Sequence, residues 1–214
     1  MNKKIEHLSL AEEVYHCLLD RIINGKLSEG SKLSEESICD DLGVSRTPAR
    51  EALMMLDRDK LVDRIPRRGC FVRKFDHEEI TELFECRRML ECLVLEQGFD
   101  NIPEKELLKL KTVLETSGGS DKKKSLNADE KLHELIIESC PNHHLQEIVR
   151  QIIKRIQPLR AWRTFGSDDI KNIHNERLGI INALLAREKK KAIRLLGEHI
   201  SQGAITIEKQ KNEF

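Results

Sequence analysis

Apolar residues at Leu8, Val14, Leu18, Leu19, Ile22 and Ile23 recur at helical spacing over residues 7–24, and Gly25 follows as a stop signal. The chain is therefore expected to open with a helix. A second helix is predicted from Ser34 to Leu42, because Ser34 offers a capping hydroxyl and Glu35 and Glu36 place negative charge at the positive helix end. Gly43 ends it. Ser45 is placed to cap a third helix, in which Pro48 is tolerated in the first turn and Ala52, Leu53 and Leu56 form the buried face. Helix, Gly turn and helix make a helix-turn-helix.

The period then changes. Leu61 to Ile65 and Cys70 to Val72 are short β-capable runs separated by Pro66-Arg67-Arg68-Gly69, which reads as a hairpin, the wing of a winged helix. After Lys74 the pattern returns to helix, with segments predicted over 77–98, 103–116, 127–140, 143–165, 168–187 and 189–210. Pro103 and Pro141 mark two starts and Pro158 a kink. The polar run 116–125 reads as a flexible connection. The fold class is mainly α: a winged helix-turn-helix with a small β-hairpin over residues 1–74, then an antiparallel helical bundle over 75–214.

Composition agrees with a helical, aliphatic core, since 28 Leu and 21 Ile stand against 4% aromatic residues. Lys+Arg and Asp+Glu number 37 each, which excludes a polybasic protein. No apolar run approaches the roughly 18 residues of a membrane span, and the start shows no secretory pattern, so no membrane association and a cytoplasmic location are expected. The six cysteines form no C-x-x-C pair and read as reduced thiols.

Net charge over residues 1–74 is near zero, so a signal for DNA lies in placement. Residues 58–74 carry seven Lys/Arg against two acids, Arg67 and Arg68 among them. On charge alone a solvated basic hairpin accounts for this equally well. The third helix adds the asymmetry: Ser45, Arg46, Thr47 and Arg50 gather near its start, away from the apolar stripe. Such a helix can lie in a major groove, its amides facing phosphate and its arginines reaching guanine edges.

The run Leu33-Ser-Glu-Glu-Ser-Ile-Cys-Asp-Asp-Leu-Gly-Val-Ser-Arg-Thr-Pro-Ala-Arg-Glu-Ala-Leu53, with Leu61-Val62 and Arg68-Gly69-Cys70-Phe71-Val72, resembles the winged helix of GntR-type transcriptional regulators. The resemblance implies that Arg46, Thr47 and Arg50 contact DNA, with Ser45 at the helix start and Gly69 at the wing tip nearing the minor groove. Glu36 stands where such regulators often carry an operator-directed Arg. Either a phosphate contact is missing there or Glu36 simply favours its helix N-terminus.

In the second half, ionisable residues interrupt apolar stripes. Arg87 and Glu91 share a face with Ile80, Phe84, Leu90 and Val94; Asp129 and His133 stand at i and i+4 beside Leu132 and Ile136. His174 and Arg177 lie among Ile170, Ile173, Ile181 and Leu184, and His199 follows Ala192, Leu195 and Leu196. A lone stripe histidine is usually a satisfied core residue. Four helices aiming such groups inward instead predict a polar pocket, because unpaired buried charge costs several kcal/mol.

The spacing Arg87-x-x-Leu90-Glu91, Asp129-x3-His133, Pro141-Asn142, Glu176-Arg177 and His199 resembles the all-helical effector domain of FadR-like members of the same superfamily. Many such domains hold a divalent metal through an Asp and three His, with a carboxylate effector at or beside it. The resemblance places Asp129, His133 and His199 at three metal positions and Arg177 at the fourth. A guanidinium cannot ligate a metal. His174 is one candidate replacement, and a weaker three-ligand site with zinc or a similar ion is another. In the third alternative, Arg177 grips an anionic effector directly.

The expected function is a transcriptional regulator, not an enzyme. A double-stranded, palindromic operator and a small carboxylate effector are the implied partners, and a homodimer follows from the resemblance and from paired half-sites. The effector residues are Arg87, Asp129, His133, His174, Arg177 and His199. The competing class is a metal-dependent helical-bundle enzyme, to which Glu130-x-x-His133 lends a di-iron-type spacing.

Overall fold

A computed structural model describes residues 8–117, 122–162 and 167–211. The chain divides into two compact units, one formed by residues up to Asp76 together with Lys154–Trp162, the other by His77–Ile153 and the chain after Trp162.

In the first unit, α1 spans Leu10–Ile23, and Ser9 and Glu12 close a reciprocal capping box that satisfies two otherwise orphaned amides. Strand β1 is only Lys32–Leu33, α2 is Glu35–Leu42 and α3 is Arg46–Arg58. The Ser34 hydroxyl accepts from the Ser37 amide, and Gly43 closes α2 at φ 66°, a left-handed cap that glycine adopts without penalty. Strands β2, Val62–Ile65, and β3, Gly69–Val72, pair antiparallel, with Val62 opposite Val72 and Ile65 opposite Gly69. β1 joins the other edge of β3, so the hairpin read from sequence is a three-stranded sheet in the order β1-β3-β2.

Ala49, Ala52, Leu53 and Leu56 bury one face of α3 against Val14, Tyr15 and Leu18 of α1 and the inner side of the sheet. Leu53 and Leu56 each contribute about 1.5–3 kcal/mol to holding α3 there. Its other face is thereby committed to solvent.

The second unit contains α4, His77–Gly98; α5, Glu104–Ser117; α6, Lys122–Glu138; α7, His143–Ile156, whose residues from Lys154 onward belong to the first unit; α8, Ser167–Leu185; and α9, Lys189–Lys211. Helix α9 packs along α4 and α8, and α6 touches α4, α5 and α8. Close approach fixes the α4–α6 relation: a Cβ at Gly98 would stand 2.7 Å from backbone atoms of Ser139 and Cys140. The Asn101 side-chain Nδ2 donates to the Ser139 carbonyl at 3.1 Å, tying the same ends together.

Two predicted boundaries move. Helix α6 starts at Lys122, ahead of the expected 127, so Lys122–Ser125 of the supposed connection are helical while 118–121 lie outside the described residues. The helix expected over 143–165 ends as α at Ile156 and continues as a 3-10 turn over Gln157–Trp162. Pro158 explains this, since the residue before a proline is pushed out of α geometry. Among the described residues no helix is long and apolar enough to cross a membrane.

Candidate functional site

The exposed side of α3 carries Ser45, Arg46, Thr47 and Arg50, opposite its buried stripe. Ser45 occupies the N-cap position, but its side chain makes no capping hydrogen bond, contrary to the sequence expectation. The first-turn amides are thus left without a side-chain cap, the arrangement in which a helix end accepts a phosphate oxygen. At the wing tip, the Arg68 amide donates to the Ile65 carbonyl at 3.0 Å. That turn holds Arg67 at φ 63° and Gly69 at φ 114°, leaving Arg67, Arg68 and Gly69 exposed.

Arg50 has a protein partner that its sequence position did not reveal. Its Nε donates to Glu35 Oε1 at 2.8 Å and its Nη2 to Glu35 Oε2 at 3.1 Å, a two-pronged pair between α3 and α2. The Arg50 hydrogen bonds hold the Glu35 carboxyl below its usual range, and the charges of Arg50, Arg46 and Arg64 add to the effect. Glu36 is exposed on the same helix turn.

In the second unit the helical spacings deliver their side chains to one place. Arg87 and Glu91 come from α4, Asp129 and His133 from α6, Glu176 and Arg177 from α8, and His199 from α9. All are buried except Glu176, which is half-buried. They pair with one another. Arg87 Nε donates to Glu91 Oε1 at 2.5 Å, and His133 Nδ1 meets Glu91 Oε2 at 2.5 Å. Asp129 Oδ1 accepts from Arg177 Nε at 2.9 Å and lies 3.1 Å from His199 Nε2, while His199 Nδ1 lies 2.8 Å from Glu176 Oε2. The His133 and His199 rings stack at 5.6 Å.

The protonation states follow from these partners. Burial alone would raise the Glu91 carboxyl, but Arg87 and His133 outweigh it and hold it at about 2. Burial opposes ionisation of Asp129 too, and Arg177 with the two histidines brings it well below the carboxylate range. Burial disfavours a charged His199, yet hydrogen bonds to Asp129 and Glu176 on its two ring nitrogens raise its pKa. His133 Nε2 is buried, makes no hydrogen bond and lies 3.6 Å from Asp129 Oδ1. Arg87 Nη2 is likewise buried without a partner.

Of the sequence-derived pocket residues, Arg87, Asp129, His133, Arg177 and His199 converge. His174 does not join them: it is half-buried, its Nδ1 is buried without a partner, and it makes no hydrogen bond or ion pair among the described residues. Sequence reading noted Glu91 and Glu176 without giving them the histidines as partners. Glu130 is exposed while His133 is buried, so that pair does not share an interior face as a di-iron ligand pair must.

Potential ligand atoms of Asp129, His133 and His199 lie within 4.8 Å of one another, and His133 Nε2, which makes no hydrogen bond, is the kind of atom a metal would take. The fourth corner contradicts that. Arg177, 1% exposed, donates its Nε to Oδ1 of Asp129, a carboxylate of the candidate ligand set. Its fixed charge opposes a cation, and no nitrogen of it can ligate. The residues do not fit a four-ligand metal site.

Such an arrangement, an exposed basic recognition helix with a wing and an all-helical unit with a buried charge cluster, is that of a DNA-binding regulator. The chain matches the bacterial regulatory proteins of the gntR family over residues 10–72 and the FCD domain over residues 82–202, and it belongs to this family. It is 26% identical to the uncharacterised HTH-type transcriptional regulator YdhC of Bacillus subtilis, over 84% of this chain and 83% of that protein. E. coli McbR/YncC superposes with a TM-score of 0.81 at 22% identity, covering 96% of this chain and 100% of that one. The Zn2+-bound FCD domain of TM0439 superposes with a TM-score of 0.60 at 25% identity, covering 66% of this chain and 99% of that domain. The chain is accordingly a DNA-binding transcriptional regulator and not an enzyme.

Proposed function

We propose that this regulator binds a palindromic operator as a homodimer in the cytoplasm and that a small carboxylate, held by Arg177 and its neighbours, changes its affinity for DNA. The observation that carries the reading is the buried Arg177–Asp129 pair: a guanidinium away from water needs an anion, and an effector carboxylate can compete with Asp129 for it. Arg87 Nη2, buried without a hydrogen bond, offers a donor to such a ligand. His174 lies one turn before Arg177 on α8. On DNA, Ser45, Arg46, Thr47 and Arg50 serve as the groove contacts and Arg67, Arg68 and Gly69 as the wing contacts.

A second reading is favoured by the convergence of Asp129, His133 and His199, which would hold a divalent ion such as zinc as a three-ligand set. The experiment is fluorescence anisotropy of a duplex selected from a randomised pool, titrated with mono-, di- and hydroxycarboxylates in the presence of chelator. One carboxylate shifting the DNA affinity supports the reading. Response only after divalent metal is restored supports the second one, and no response to any carboxylate contradicts the first.

A further inference from the structure

We propose that Glu35 is a specificity-determining residue that positions Arg50 for base recognition; this rests on the reading of Arg50 as a groove contact. The two helices of the motif are joined by this pair at the surface that faces DNA. Glu35 is the first residue of α2, where the Ser34 cap fixes the backbone, and its two oxygens engage Nε and Nη2 of Arg50.

A guanidinium carries five N–H groups in one plane. With the Nε edge taken by Glu35, the end-on edge remains, one N–H from each terminal nitrogen, parallel and coplanar. That edge matches O6 and N7 of a guanine in the major groove. Arg50 is 60% exposed, so without Glu35 the long side chain samples many rotamers and reaches phosphates as readily as bases. The Glu35 carboxylate is also an acid among bases: Lys32, Arg64 and Arg67 line the same groove of about 660 Å³. Its repulsion of phosphate weakens binding to every sequence. Orientation of Arg50 returns affinity only where a guanine lies in line, and the difference between those two effects is specificity.

The test uses the full-length protein, a duplex selected from a randomised pool, and single-base variants of that duplex. Glu35→Gln removes the charge and one acceptor. It is expected to reduce discrimination at one base pair about tenfold, by the size of a bidentate contact, while non-specific affinity rises. Arg50→Ala should flatten preference at the same base pair, and Arg50→Ala with Glu35→Gln should be no flatter than Arg50→Ala alone. Glu36→Gln, one residue along the same helix end, controls for charge and helix-terminus effects and should raise non-specific affinity with base preference intact. Circular dichroism of each variant confirms folding. If Glu35→Gln strengthens binding to all duplexes alike with full discrimination, Glu35 is a brake on DNA binding and not a positioning residue. If Arg50→Ala itself keeps full discrimination, the groove-contact reading fails, an outcome separate from failure at Glu35.

Discussion

Arg50–Glu35 in the DNA-binding unit and Arg177–Asp129 in the helical unit are the same chemical pair at nearly the same length, 2.8 Å and 2.9 Å. Their surroundings differ. The first pair is 60% and 29% exposed, and water can replace either partner at little cost, so its value lies in where it points the guanidinium. The second is 1% and 3% exposed, and neither charge can be left alone there. An exposed pair leaves the other edge of its guanidinium open to a passing duplex, whereas a buried pair yields only to a ligand that brings a replacement charge. On the proposed reading, DNA is read at a surface and a carboxylate is weighed in a core.

Removing one partner from each pair should separate them most sharply. Arg177→Ala removes the guanidinium partner of Asp129 in the core and should lower stability by about 3–5 kcal/mol, read as a fall in the urea midpoint. Arg50→Ala should leave that midpoint in place. Equal midpoints for the parent and Arg177→Ala would break the comparison.

Acid should find the buried region next. Glu91 has an ordinary pKa of 4.5 and is held at about 2 in the fold, so the unfolded chain binds its proton first as pH falls. Its stabilisation is therefore full above pH 4.5 and is lost as pH drops toward about 2. Glu91→Gln should be less stable at neutral pH and should lose part of the parent's dependence on pH across that window. An unchanged slope would show that the charge cluster does not hold Glu91 ionised.

A smaller effect distinguishes helix from wing within the DNA-binding unit. Arg50→Ala should weaken binding to the selected duplex roughly ten- to a hundredfold and relax one base preference. Arg67→Ala or Arg68→Ala should cost less, equally on all sequences, and reduce the salt slope by about 0.9 for each phosphate no longer neutralised. Base-selective loss on removing Arg67 or Arg68 would reverse these roles.

Much of this was legible in the chain. The 3.6-residue stripes located the helices, and the Gly and Pro punctuation located the turn and wing, because those signals are local. Strand β1 was not legible, since two residues carry no alternation and Lys32–Leu33 pair only because β3 is beside them. The start of α6 was hidden in a lysine run with no apolar face. At the sites, the inward charges on α4, α6, α8 and α9 could be read from their stripes, and Asp129 could be read as a partner for Arg177, but the pairing of His133 with Glu91 could not. His133 meets Glu91 across 42 residues and Arg50 meets Glu35 across 15, distances over which periodicity says nothing. His174 shows the converse: it shares a stripe with Arg177 and still makes no hydrogen bond to the cluster.

Metal analysis of the dialysed full-length protein, set beside its Arg177→His variant, tests most directly whether a guanidinium takes the place of a cation in the buried cluster. The account predicts far less than one divalent ion per chain in the parent and a gain of metal when histidine supplies a fourth donor beside Asp129, His133 and His199. One tightly held divalent ion per chain in the parent would contradict it.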